Sequence, residues 1–117
     1  MRDERAWLLD MLLEARRVRR FVENRTWESF AEDEQAVYAV TKAIETIGEA
    51  ARQLLKQMPA MRAEHPEVPW TEIVGMRTVL AHQYFRIDIA RVWQVAVVDV
   101  ERLISVLEPL VPPEEQG

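Results

Sequence analysis

Apolar positions recur every three or four residues along most of the chain, and no segment alternates with period two over a strand's length. Leu8, Met11, Leu12, Ala15, Val18 and Val22 form one such stripe. It predicts a first helix from about Asp3 to Asn24. A polar connection follows, Arg25-Thr26-Trp27-Glu28. Ser29, with Glu32 three residues later, reads as a capping box opening a second helix. The stripe of that helix runs through Val37, Val40, Ile44, Ile47, Ala51, Leu54 and Met58 and stops before Pro59. Met61 to Pro69 is short and bounded by prolines, room for one turn and a loop. A third main helix starts at Trp70 or Thr71 and continues past Ile73, Val74 and Arg77. Asp88 is the N-cap expected for the last helix. There Ile89, Val92, Trp93, Ala96, Val100, Leu103, Ile104 and Leu107 keep a helical period as far as Pro109.

The breakers fall between the stripes. Glycine occurs only at 48, 75 and 117, and the six prolines gather in 59–69 and 109–113. The pattern therefore predicts an all-α fold, an up-and-down bundle of four main helices plus a short connecting turn. Residues 1–108 make a single domain on this reading, and 109–117 a flexible tail. Val95 and Val98 widen the apolar surface of the last helix beyond one core stripe. That width implies a second contact, most simply a homodimer.

Composition narrows the functions available. The chain has 117 residues, the size of one domain. Fifteen basic against 20 acidic side chains leave a net charge of −5. Such a balance argues against coating duplex DNA, which needs clustered cations on phosphates, but permits a local phosphate site. With no cysteine, thiol nucleophiles, disulfides and Cys-based zinc sites are excluded. Two histidines are too few for a His-dominated metal cluster, and no cofactor is expected. Asp10 and Glu14 interrupt the N-terminal apolar stretch, and no apolar run approaches the ~20 residues of a membrane span. These features predict a cytoplasmic protein without membrane contact.

The segment richest in chemistry runs from Trp70 to Asp88 and contains Arg77, Thr78, His82 and Tyr84. Arg77 offers a permanently charged, planar fork suited to phosphate. His82 moves a proton near neutral pH, as a general acid or base does. Tyr84 adds a phenol, and Val79, Leu80, Ala81 and Phe85 offer walls that exclude water. On a straight helix, residues five apart point about 140° apart, so Arg77 and His82 diverge while Arg77 and Tyr84 share a face. Cooperation between Arg77 and His82 therefore requires the helix to end or distort, or a second subunit to contribute. Spacing alone is equally met by a surface arginine and a half-buried, hydrogen-bonded histidine.

The segment resembles the Arg-x4-His-x-Tyr signature of HepT-like proteins, minimal members of the HEPN superfamily of helical ribonucleases. Pro69-Trp70, Ile73, Gly75-Met76-Arg77, Ala81-His82, Tyr84, Ile87-Asp88 and Val92-Trp93 fall in the register of that family. Ile47-Gly48-Glu49-Ala50 resembles its second-helix motif, and His65 to Trp70 its connecting loop, so the resemblance covers essentially the whole chain. One departure is Thr78, where the family usually has asparagine or another polar group. The resemblance implies metal-independent cleavage of RNA, in which the 2′-hydroxyl attacks the adjacent phosphate. Arg77 and His82 would be the catalytic pair. It also implies a toxin–antitoxin pairing with a nucleotidyltransferase, which attaches AMP to Tyr84. Thr78 and Glu49 are candidates for supporting the site. The rival expectation is a catalytically inactive helical binding partner, the substrate-recruiting subunit of such a nucleotidyltransferase. A structural oligomerisation bundle is a third.

Arg16, Arg17, Arg19 and Arg20 form the densest basic cluster. Two readings stand: a guide for RNA phosphates, or a solvated face paired to acids such as Glu14 and Glu23. Glu45 and Glu49 lie one turn apart, yet no Glu-x-x-His accompanies them, so a di-iron site is unsupported. Trp7, Trp27, Trp70 and Trp93 sit on separate elements, which suits core and interface anchors better than a stacking platform.

Overall fold

Each of the long helices opens at an aspartate. The computed structural model describes residues 3–79 and 87–116. In it, the Asp3 side chain accepts from the Arg5 amide at 2.9 Å and opens α1, Glu4–Val22. Asp33 accepts from the Ala36 amide at 3.1 Å and opens α3, Glu34–Gln57. Asp88 accepts from the Arg91 amide at 3.1 Å and opens α6, Ile89–Gln94. Each carboxylate satisfies an amide that the first helical turn leaves unpaired. Among the described residues there is no strand, and the all-α expectation holds.

The link from α1 to α3 departs from expectation. The reciprocal box is built by Thr26 and Ser29, not by Ser29 and Glu32: Ser29 N donates to Thr26 Oγ1 at 3.1 Å and Thr26 N to Ser29 Oγ at 3.0 Å. It opens a separate short helix, α2, Trp27–Ala31, so the long helix starts five residues later than Ser29, at Glu34. Ser29 thus closes the box from inside the first turn rather than serving as the cap. Asn24 turns the chain after α1 with a φ of 64°, a left-handed conformation that Asn tolerates better than most residues. Arg25 then donates to Asp33 at 3.0 Å, closing the connection and setting α1 and α3 antiparallel.

Beyond α3, the chain makes a single turn, α4 at Met61–Glu64, then a loop pinned by Trp70. The buried Trp70 indole donates Nε1–H to the His65 carbonyl at 2.9 Å, and Val68 is buried beside it. Helix α5, Trp70–Val79, packs along α3 through the buried Ile73.

The C-terminal helix is continuous but not uniform. Between α6 and α7, Val100–Leu107, residues Val95–Asp99 form a π-helical turn. The core residues explain it. Val92, Ala96, Val100, Ile104 and Leu107 are all buried and recur at steps of four, four, four and three. That exceeds the 3.6 residues per turn of an α-helix, and the π turn takes up the surplus. It also sorts the two valines that widened the predicted stripe: Val95 is fully buried, whereas Val98 stays 45% exposed beside Val97.

Helix α1 runs antiparallel to α7, fastened by Arg19 to Glu101 at 3.0 Å and Arg16 to Glu108 at 2.7 Å. Residues Glu108–Leu110 form a 3-10 turn, Val111 is buried, and α8, Pro113–Gln116, brings Glu115 to within 3.4 Å of Arg5. A single core results, with Met11, Leu12, Phe30, Ile44, Leu54 and Ile104 among its largest fully buried side chains. Each such side chain is worth about 1.5–3 kcal/mol of burial.

Candidate active site

Arg77 and Thr78 lie in the last turn of α5, Trp70–Val79. His82 and Tyr84 lie outside the described residues, as does the stretch that joins α5 to Ile87. The bundle therefore presents the motif from two anchored ends. On one side α5 is held to α3 by Ile73 and capped by the buried Trp70. On the other, Asp88 fixes the start of α6, and Val92 is buried in the core.

Beside α5 opens a cleft of about 500 Å³, lined by α3, α5 and the C-terminal helix. Its floor is apolar, including Ile47, Ile73, Val95 and Leu103, and Met76 lies at its α5 side. Its walls differ in charge. Glu67 and Glu72 stand on the α5 side, and Arg91 and Arg102, with Asp99 between them in the chain, on the side of the C-terminal helix. The sequence carries no signal of this cleft, because its two walls are distant in the chain and the π turn sets their relative facing.

Glu49 is placed elsewhere. It lines a groove between α1 and α3, while Ile44 and Ile47 face the cleft beside α5. Its carboxylate accepts from Arg52 Nε at 3.1 Å, Arg52 Nη2 at 2.9 Å and Gln53 Nε2 at 2.9 Å. This bidentate pair raises the Arg52 guanidinium further above its already high pKa. Glu45 lines the same groove, and among the described residues no group of three acidic or histidine side chains is arranged to hold a metal ion.

The arginine cluster divides. Arg16 and Arg19 face α7 and are tied to Glu108 and Glu101. Arg17 pairs along its own helix with Glu14 at 2.8 Å and lines the α1–α3 groove. The paired-face reading thus holds for Arg17, through Glu14 as expected, and for Arg16 and Arg19, through acids more than 80 residues away rather than through Glu23. Of the tryptophans, Trp70 is core, while Trp93 packs at a tilt against Phe30 at 5.1 Å and Trp27 at 6.5 Å between ring centres. That cluster ties α2 to α6.

A helical bundle with an Arg-x4-His-x-Tyr segment leading out of its α5 defines a class, and sequence comparison agrees. The family described as "Ribonuclease HepT-like" matches residues 11–110, most of the chain and the whole motif. The chain is 36% identical over 107 residues to "Putative RNase MJ1380" of Methanocaldococcus jannaschii, covering 92% of this chain and 95% of that one. It is 30% identical over 109 residues to "Probable ribonuclease HepT" of Thermococcus cleftensis, covering 93% and 96%. No solved structure matches the chain. The protein belongs to the HepT-like ribonuclease family.

Proposed function

We propose that this chain is the toxin of a toxin–antitoxin pair, an endoribonuclease that cleaves RNA without a metal ion, using Arg77 and His82. The reading is carried by one observation: the family match spans the bundle together with the motif, which here retains its arginine, histidine and tyrosine. In the reaction, the 2′-hydroxyl loses its proton to an imidazole and forms a bond to the adjacent phosphorus. The P–O5′ bond breaks, and the 5′ oxygen takes a proton from an imidazolium. The products are a 2′,3′-cyclic phosphate and a 5′-hydroxyl. Arg77 holds the non-bridging oxygens as negative charge builds on them.

One neutral His82 supplies the base but not, at the same moment, the acid. A homodimer brings a second His82 and so both forms, and the cleft beside α5 suits such a contact. Its apolar floor needs cover, and its acidic wall and its mainly basic one, where Asp99 accompanies Arg91 and Arg102, complement each other under a two-fold axis: Glu67 and Glu72 of one copy would meet Arg91 and Arg102 of the other. The partner that restrains the enzyme is a nucleotidyltransferase, with Tyr84 as AMP acceptor. A nucleotide on that phenol places an anion beside Arg77 and blocks the phosphate site. The second reading, an inactive binding subunit of the nucleotidyltransferase, is favoured by Thr78, which replaces the family's usual asparagine with a hydroxyl.

The test is cleavage of a single-stranded RNA by purified protein in excess chelator. Wild type gives cyclic-phosphate ends, and His82→Ala lowers the rate by at least about 100-fold. Equal, background rates for both proteins overturn the nuclease reading. Loss of wild-type activity in chelator overturns metal independence. Co-expression with the nucleotidyltransferase adds the mass of AMP to wild type but not to Tyr84→Phe, and an unmodified wild type overturns the regulatory part.

A further inference from the structure

We propose that Thr41 is a positioning residue for His82: its buried hydroxyl accepts a hydrogen bond from one ring N–H and leaves the other nitrogen to take the proton of the 2′-hydroxyl. This rests on the ribonuclease reading above and adds the group that orients its base. Among the described residues Thr41 is the one polar residue that is buried, at 4% exposure, and its Oγ1 has no hydrogen-bond partner there. Other helical hydroxyls turn back onto their own helix. Thr46 Oγ1 donates to the Lys42 carbonyl at 2.9 Å, and Ser105 Oγ to the Arg102 carbonyl at 2.7 Å. Thr41 makes no such bond. A hydroxyl buried without a partner is costly, and buried polar atoms almost always have one, so the partner belongs to the side that Thr41 faces.

Its place on α3 shows which side that is. Val37, Thr41, Ile44 and Gly48 recur at steps of four, three and four and form one stripe of buried residues. One turn before Thr41, Val37 lines a small pocket with Ile87, where the chain returns from the motif. One turn after it, Ile44 lines the cleft with Met76, the residue before Arg77. Thr41 therefore sits between the points where the motif leaves the bundle and rejoins it. His82 comes six residues after Met76 and five before Ile87, the polar residue nearest the middle of that span. Val37, Ile44 and Gly48 offer no side-chain hydrogen bond, so Oγ1 is the only polar side-chain atom of the stripe. Its chemistry suits the role. Which nitrogen of a neutral histidine carries the proton is set by the bond that the other makes. The proton from the 2′-hydroxyl adds to the nitrogen opposite Thr41, and the N–H held by Thr41 is kept in both imidazole and imidazolium. The ring therefore need not turn between its roles as base and acid.

The experiment uses the full-length protein and reads both cleavage and the histidine ring. Thr41→Val keeps the shape of the side chain and removes the hydroxyl, whereas Thr41→Ser keeps the hydroxyl. With single-stranded RNA, Thr41→Val lowers kcat by about five- to tenfold, the worth of an ordinary hydrogen bond, and leaves KM unchanged. Thr41→Ser retains most of the wild-type kcat. Nitrogen-15 NMR of histidine-labelled protein, above the pH at which the ring titrates, shows His82 as a single tautomer in wild type and Thr41→Ser, and as a mixture in Thr41→Val. His65 is the only other histidine in the chain, and His65→Gln assigns the signals. Circular dichroism confirms that each variant is folded. A mixture of tautomers at His82 in wild type overturns the proposal without any variant, as does Thr41→Val with the kcat of wild type. Equal losses in Thr41→Val and Thr41→Ser assign the residue to packing and overturn it too. Wild type that cleaves no RNA, while Thr41→Val still releases His82 from its single tautomer, overturns the nuclease reading instead and leaves the bond standing.

Discussion

Replacing Phe30 is the sharpest test of how the bundle holds the motif's second anchor. Phe30 is fully buried although it sits on a five-residue helix, and its ring lies 5.1 Å from that of Trp93 at 38°. Helix α2 is too short to persist alone, so it exists because Thr26 and Ser29 cap it and Phe30 docks it. Phe30→Ala removes a whole aromatic side chain and leaves a cavity, which costs about 3–5 kcal/mol. With unfolding entropy near 2.1 cal/mol/K per residue, a chain of 117 residues loses roughly 4 °C of Tm per kcal/mol. The expected fall is therefore about 12–20 °C. Phe30→Leu keeps most of the volume and gives up the tilted ring contact, for about 1 kcal/mol. The assays are thermal and urea denaturation followed by far-ultraviolet circular dichroism at one fixed protein concentration, since any association links stability to concentration. Tryptophan emission in Phe30→Ala shifts to the red as Trp27 and Trp93 gain water. A loss below about 1 kcal/mol in Phe30→Ala would refute the claim that α2 is held by this side chain. Equal losses for the alanine and leucine variants would refute the share assigned to the ring.

Two further outcomes follow from other parts of the bundle. The Asp33 carboxyl is held below the usual 3.8 by the amide of Ala36, then by the Arg25 guanidinium. A depressed folded pKa gives stability that is full above the unfolded value and is lost as pH falls through the folded one. Asp33→Asn keeps a capping side chain but cannot titrate, so its urea midpoint falls less than wild type's when pH is lowered from neutral through that range; parallel curves would count against the cap. Gly75 lies inside α5, and a Cβ there meets nothing within 4 Å. Gly75→Ala therefore raises stability by up to about 1 kcal/mol, read as a Tm increase of about 4 °C, and a decrease would mean that the position is closely packed.

The helices are legible in the chain because their apolar stripes are long and their caps are chemically explicit. Asp88 is readable as an N-cap, and the stripe of α1 matches its buried side chains one for one, from Leu8 to Val22. The α1–α3 link is easily misread because Thr26, Ser29, Glu32 and Asp33 all carry capping groups at overlapping spacing. Arg25 decides among them by reaching Asp33, a contact between residues eight apart that no local pattern contains. The π turn is hidden for a related reason: steps of four and three average close to 3.6, and only burial reveals the excess. Of the proposed active site, the residue types in Arg77, His82 and Tyr84 are readable from the chain, as is their family register. The cleft beside α5 is not, since α3, α5 and the C-terminal helix meet only in the folded bundle. Nor does the sequence separate Arg16 and Arg19 from Arg17 and Arg20, a division made by Glu101 and Glu108 more than 80 residues away.

The π turn at Val95–Asp99 lets the two halves of one helix keep different bearings. Helix α7 answers to α1, through Glu101 and Glu108, and α6 answers to α2, through Trp93 on Phe30. A regular α-helix over the same residues would bring Val92 and Leu107 out of phase by roughly 60°, so one partner or the other would lose its facing. The direction from which the chain leaves the motif and rejoins the bundle at Asp88 is thus set by a count of residues inside a helix, not by any side chain that touches RNA. Shortening the helix by one residue at Val97 or Val98 would swing that point about the helix axis without changing any residue of the Arg77–Tyr84 motif.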